Sequence, residues 1–227
     1  MTISCIVATF GVSSWEHLAK QRAIPSTEDQ GLLEVISIHL PEGTLAQARN
    51  LGALHAHGDW LLFLDADDEL RPGFILAMNE ALEQLEPGQR ALLTPAVAYL
   101  HGRTVPRPKI WPRMDIRDGN WMIIGTLVQR DLFHEVGGFR EYGWSEDWAL
   151  WGACMKAGAI AVEVPDAVYV AHITAKSRNR NKPRQMILYW HARIGHDLWP
   201  EIYACPSEEE DAAQLLATGS VLRLDGR

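Results

Sequence analysis

Three apolar runs, each followed by a helix signal, constrain this chain more than any other feature of it. ISCIVAT at 3–9 and WLLFLD at 60–65 are dense in apolar and β-branched residues, and LLEVISI at 32–38 reads the same way. Runs of this length suit strands buried on both faces of a sheet. Between the first two strands, Ser13 and Glu16 have the spacing of a capping box that opens a helix over WEHLAKQRA, and Pro25 stops it. Thr44 and Gln47 repeat that spacing ahead of LAQARNLGALHA. After the third strand, a helix over 73–85 carries Phe74, Met78, Leu82 and Leu85 on one stripe and ends at Pro87-Gly88. Strand and helix in strict alternation predict an α/β fold, a mostly parallel sheet with helices on both faces.

The second half is less regular. ALLTPAVAYL (91–100) and WMIIGTLVQ (121–129) read as strands around a Pro- and Arg-rich loop at 103–117. A short helix ends at Gly137-Gly138, and Ser145 caps the helix EDWALWGACMKA, which Gly158 stops. AIAVEV and AVYVAH are strands on either side of Pro165-Asp166. Beyond Pro183 a helix places Met186, Trp190 and Ile194 on one face. One domain over 1–182 with a helical appendage over 183–227 accounts for the pattern, and 227 residues suffice for a single core. A net charge of −8 argues against a globally basic nucleic-acid binder. Cys5, Cys154 and Cys205 are odd in number and lack metal spacing, which predicts buried free thiols in a reducing compartment. With no basic leader and no apolar run near the roughly 18 residues of a membrane span, the expectation is a soluble cytoplasmic protein.

GDWLLFLDADDEL (58–70) then poses a physical problem, because an inward-driving strand ends in a cluster of carboxylates. Like charges that close repel, and carboxylates resist desolvation without a compensating cation. Ligands in open parallel sheets bind beyond the carboxyl ends of strands, where Asp65, Ala66, Asp67 and Asp68 fall. On an extended segment Asp65 and Asp67 would point the same way and share Mg²⁺ or Mn²⁺ with substrate phosphates. The plainer alternative is a solvated acidic turn ahead of a helix N-terminus.

The order Ala48-Arg49-Asn50, Gly52, Asp65-Ala66-Asp67-Asp68 and Pro72 resembles the family-2 inverting glycosyltransferases of the GT-A fold. That resemblance implies a nucleotide-diphosphate sugar donor, with a UDP-sugar favoured. It implies that Asp65 contacts ribose or metal, that Asp67 holds the metal, and that Arg49 lies near the base. GTLVQRDLFHEVGGFRE (125–141) resembles the family's acceptor-side segment, and WSEDWALW (144–151) its Glu-Asp motif. By the same likeness Asp147 is the base that takes the acceptor hydroxyl proton, with Glu146 beside it. His172, after the last core strand, completes the metal shell and tilts the choice toward Mn²⁺. Trp144 and Trp121 offer aromatic faces on the acceptor side. The basic KSRNRNKPR (176–184), with Lys176, Arg178 and Arg180, reads either as a lid over the diphosphate or as a solvated loop. A third reading joins it to Arg103, Arg107, Lys109, Arg113 and Arg117 as phosphate contacts along a nucleic acid.

One segment departs from the family pattern. Where an Asp-Asp-Gly-Ser stretch usually reads the base, this chain has His39-Leu40-Pro41-Glu42-Gly43, so base contacts fall to Thr9, Phe10 and Gly11, to His39, or to Arg49. No Gln-x-x-Arg-Trp signature of processive synthases is present, which implies transfer of a single sugar. The compact form resembles bacteriophage versions of the family, which leaves a hydroxymethylated DNA base, a virion protein and a small molecule open as acceptors. A non-catalytic nucleotide-sugar-binding module is the alternative. A nucleotidyltransferase is disfavoured because ATFGVSSW is not a Gly-rich basic phosphate loop.

Overall fold

The structure, a computed structural model, describes residues 1–101, 107–173 and 184–203, with the side chains of 184–187 left aside. Strand β1 (Ile3–Phe10) lies at the heart of the first half, parallel to β2 (Glu34–Leu40) on one side and to β3 (Trp60–Leu64) on the other. The chain then makes the two-residue β4 (Glu69–Leu70) and the long β5 (Ala91–His101). Short β6 (Leu127–Gln129) runs antiparallel between β3 and β5, and β7 (Ile160–Ile173) lies parallel to β5. Strand β4 closes the far edge antiparallel to β7, giving the order β2-β1-β3-β6-β5-β7-β4. The predicted parallel arrangement therefore holds for β2-β1-β3 and for β5-β7, while β6 and β4 make the sheet mixed.

Helices α1 (Ser14–Gln21), α2 (Leu45–Leu54), α3 (Phe74–Leu82), α4 (Arg130–Glu135), α5 (Glu146–Lys156) and α6 (Arg184–Leu198) cover both faces. The period-two rule divides the core. From β1, Cys5 and Val7 point into one layer with Ala19 of α1 and Phe74 and Met78 of α3. Ile6 and Ala8 point into the other with Ala48 of α2 and Trp148, Trp151 and Cys154 of α5. Phe63 anchors that second layer edge-on to Phe139, with centroids 4.8 Å apart, and beside Phe133 at 5.4 Å. Helix α6 lies along α5, where Trp148 meets His191 at 4.2 Å and Trp199 at 6.1 Å. Cys5 and Cys154 are both buried free thiols, as expected; Cys205, like Lys176, Arg178 and Arg180, lies outside the described residues.

Several local expectations need correction. Strand β2 is not buried on both faces: it is the sheet edge, and each of its side chains is half-buried or exposed. Thr44 and Gln47 do form a reciprocal capping box on α2, but Ser13 makes no side-chain cap, because its own backbone is already helical. Ser145 also makes none, since it sits in the left-handed region at φ 60°. Residues 121–126 are irregular, with a turn at 124–125, rather than strand; only 127–129 pair. The two strands expected around Pro165-Asp166 are one, β7, with a register shift opposite Pro95 and Ala96 that accommodates the proline. Among the described residues no helix is long and apolar enough to cross a membrane.

Candidate active site

The carboxyl ends of β1 and β2 bring four of the predicted nucleotide-side residues together. Thr9 and His39 are register partners; the Thr9 hydroxyl lies 3.2 Å from the Ile38 carbonyl and 2.9 Å from Nδ1 of His39. Phe10 is exposed beside them, and the Gly11 N–H donates to the Leu40 carbonyl at 2.9 Å. Gly11 holds φ +73°, a conformation glycine adopts without a Cβ penalty.

At the end of β3 the chain does not remain extended. Residues 65–68 form a turn closed by the Asp68 N–H donating to the Asp65 carbonyl at 3.1 Å, so the expected alternation of Asp65 and Asp67 on a strand does not apply. Arg22 pins the turn from outside by donating to the Asp67 carbonyl at 2.9 Å, and Ala66 is buried within it.

Arg49 lies beneath this turn rather than at the surface. Its guanidinium, on an almost fully buried side chain, donates to Asp65 Oδ1 at 2.6 Å and to Glu146 Oε1 at 3.0 Å, and it stacks 4.9 Å over the Phe139 ring. Burial opposes its charge, but Asp65 and Glu146 outweigh that and hold its pKa above the ordinary arginine value. One cation thus ties the acidic turn to the first residue of α5.

The remaining acids of the turn have different partners. Asp68 is buried; it accepts from the Tyr169 hydroxyl at 2.8 Å and from the His172 N–H at 2.9 Å. Burial first, and then the charges of Asp65 and Asp67, push its pKa well up. Tyr169 also accepts from the Asp65 N–H at 3.3 Å, and it packs so tightly on Gly125 that a Cβ there would lie 2.4 Å from its ring. Asp67 is raised in the same direction, by burial and by Asp65, and among the described residues it has no ion pair. His172 is within electrostatic reach of Asp67, yet its Nε2 lies 2.5 Å from Glu69 Oε2.

Asp147 stands on the other side of Arg49, in the first turn of α5. Its Oδ2 accepts from Asn120 Nδ2 at 2.9 Å and its Oδ1 from the Trp148 N–H at 2.8 Å. Trp144 is half-buried nearby in sequence. Trp121 is buried, with its indole N–H lacking an acceptor among the described residues, and so forms a wall rather than an open stacking face.

Two carboxylates suit a hard divalent cation. Asp67 is desolvated and raised, among the described residues its carboxylate makes no ion pair, and Asp65 is close enough to repel it. Among the described residues no three His, Cys, Asp or Glu side chains are already grouped as a ligand set. Asp65 would have to share Arg49, and His172 would have to leave Glu69. The residues fit a cation held by one or two carboxylates and completed by a diphosphate and water, which is the usual manner of Mg²⁺-like ions. Sequence reasoning missed Tyr169, Glu69 and Asn120, whose contacts join segments that no local pattern links.

Residues 22–135 match the glycosyl transferase family 2. In fold the chain is similar to S. aureus TarS, with a TM-score of 0.54 at 19% identity, covering 96% of this chain and 42% of that one. It is similar to TarS 1–349 in complex with UDP-GlcNAc at 0.55 and 16%, covering 96% and 71%. It is also similar to GalNAc-T7 with UDP, GalNAc and Mn²⁺ at 0.59 and 16%, covering 97% and 55%. The chain therefore spans about half the length of these TarS and GalNAc-T7 chains, and at these identities the likeness is one of fold. No curated protein matches it in sequence.

Proposed function

Because the chain belongs to glycosyl transferase family 2, we propose that it transfers a single sugar from a UDP-sugar to an acceptor hydroxyl, with inversion and with a divalent cation, Mn²⁺ or Mg²⁺. The observation that carries this reading is the Arg49 bridge. It joins the acidic turn and the Glu-Asp helix start, two motifs far apart in sequence, on one buried guanidinium.

The donor lies over the carboxyl ends of β1, β2 and β3, with its nucleotide beside Thr9, Phe10, Gly11 and His39. Asp67, with Asp65, would hold the cation, which would offset charge on the diphosphate. Asn120 and the Trp148 amide orient the Asp147 carboxylate. Asp147 takes the acceptor hydroxyl proton as that oxygen bonds to the anomeric carbon from the face opposite the diphosphate, whose C–O bond breaks. Arg49 holds Asp65 and Glu146 in place, leaving the two roles to Asp67 and Asp147. Two buried free thiols fit a reducing, cytoplasmic setting for this chemistry.

Thermal unfolding with a panel of nucleoside diphosphates, with and without Mn²⁺, tests the donor site. Ligand at 100 times its dissociation constant adds about 2.7 kcal/mol, a shift of a few degrees. A rise that needs both UDP and metal and vanishes in Asp67→Asn supports the reading. No rise with any nucleotide removes the donor site, and with it the transferase proposal.

A further inference from the structure

The segment after β5 carries a feature that donor binding leaves unused. Residues 107–114 read Arg-Pro-Lys-Ile-Trp-Pro-Arg-Met. Proline at 108 and 112 holds Arg107 and Trp111 extended, since a residue preceding proline is steered away from helix. Lys109 fixes the register by pairing with Val97 on β5 through both backbone bonds, at 2.9 and 3.0 Å. Exposure then alternates: Arg107, Lys109 and Trp111 face outward, while Pro108 and Ile110 are half-buried. The Lys109 ammonium lies 3.9 Å over the Trp111 ring and 5.6 Å over Tyr99, whose hydroxyl accepts from Trp111 Nε1 at 3.1 Å. Arg113, also exposed, sits 5.9 Å over Trp121. Among the described residues Arg107, Lys109 and Arg113 make no ion pair, in a chain whose net charge is −8. By contrast, Arg117 donates to both carboxylate oxygens of Asp115.

This strap leads to the candidate base. Its continuation is fastened by the Ile116 carbonyl, which accepts from Trp148 Nε1 at 2.6 Å, and by Asn120, which donates to Asp147. At its other end Tyr99 feels the charge of Asp68.

We infer that the strap Arg107–Met114 is the acceptor track, and that its occupant is single-stranded nucleic acid: a base stacks on Trp111, Lys109 and Arg113 contact the flanking phosphates, and the target hydroxyl is delivered toward Asp147. Alternating cations and an exposed indole are what sequence-tolerant strand binding uses, because every base has a face to stack and every nucleotide a phosphate. A polysaccharide is disfavoured by what the strap lacks. No side chain from 107 to 114 carries a carboxylate, amide or hydroxyl to bond sugar hydroxyls, and the one indole N–H is committed to Tyr99. Duplex is disfavoured because a paired base offers Trp111 no face until it leaves the stack.

The inference rests on the proposed role of Asp147 but is tested apart from it. Fluorescence anisotropy of labelled single-stranded DNA and RNA of about 12 nucleotides would be followed against salt, with duplex DNA and a sulfated polysaccharide as the other arms. The expected result is single-strand binding in preference to duplex, weakened roughly tenfold by Trp111→Ala, in line with stacking energies. Lys109→Ala should flatten the log–log salt slope by about 0.7, one phosphate contact. UDP with Mn²⁺ should stabilise the Trp111→Ala protein as it does the unaltered chain, showing that the fold and donor site are intact. Strand binding that is indifferent to Trp111 and Lys109, equal binding of duplex, or binding of the polysaccharide alone would each overturn the inference. Absence of strand binding with an intact UDP response would overturn it while leaving the donor reading in place.

Discussion

The two acidic motifs of this protein handle their charge in opposite ways. At 65–69 the carboxylates crowd into a turn: Asp67 and Asp68 are desolvated and raised, the Arg49 guanidinium is spent on Asp65, and Arg22 donates to the Asp67 backbone carbonyl rather than to its carboxylate. At 146–147 each acid already has donors, Glu146 from Arg49 and Asp147 from Asn120 and a helix amide. The first motif concentrates negative charge, which a bound cation would offset. The second is complete as folded and can accept a proton without rearrangement. A diphosphate site and a general base have these separate requirements, and Arg49 is where the two motifs are held to one another.

The sharpest way to break the comparison is at Asp147. Asp147→Asn should lower sugar-transfer turnover by about 10²- to 10⁴-fold, the range for a general base, while the UDP and Mn²⁺ response in thermal unfolding stays. Arg49→Met strips the counter-ion from both motifs at once and should cost about 3–5 kcal/mol in denaturant unfolding, as for other broken buried pairs. Adding Glu146→Gln to that variant should recover part of the loss, because one uncompensated charge is then removed. Asp67→Asn should abolish the metal-dependent stabilisation of about 2.7 kcal/mol. Tyr169→Phe, which removes the hydroxyl donated to Asp68, should cost about 1–3 kcal/mol and weaken metal response more than it disturbs Asp147.

The smallest effect concerns pH without metal. A carboxylate whose folded pKa lies above its ordinary 3.8, as at Asp67, favours the folded state most below that value. The advantage is lost as pH rises through the raised folded pKa, because the folded protein binds the proton more tightly than the unfolded chain. Apo stability should therefore decline from about pH 4 upward, and Asp67→Asn should decline less. An unchanged pH profile in that variant would mean that the turn does not concentrate negative charge at Asp67.

Much of this was legible in the sequence. The buried runs located β1 and β3, Thr44 and Gln47 gave a genuine cap, and the carboxylate cluster marked the end of the third strand. The failures share a cause. Ser-x-x-Glu is the same pattern at 13–16 as at a true capping box, but whether a serine can cap depends on its own dihedrals, which the following chain sets. A strand's burial depends on its place in the sheet, so β2, though apolar, could not announce that it was an edge. Tyr169, Glu69 and Asn120 enter the site through pairings between distant segments, and nothing local to any of them shows the partner.

The layered core has a further consequence. Cys5 and Cys154 lie on opposite sides of the sheet, and burial pushes both thiols up to about 12. Neither reacts as a thiolate until its own layer opens. In a Cys205→Ser background, the rate at which a thiol reagent modifies each of them clocks the opening of the α1–α3 side and the α2–α5 side independently. A bound nucleotide that tightens the whole sheet would slow both clocks, and one that tightens only the side carrying Arg49 and Asp147 would slow Cys154 alone.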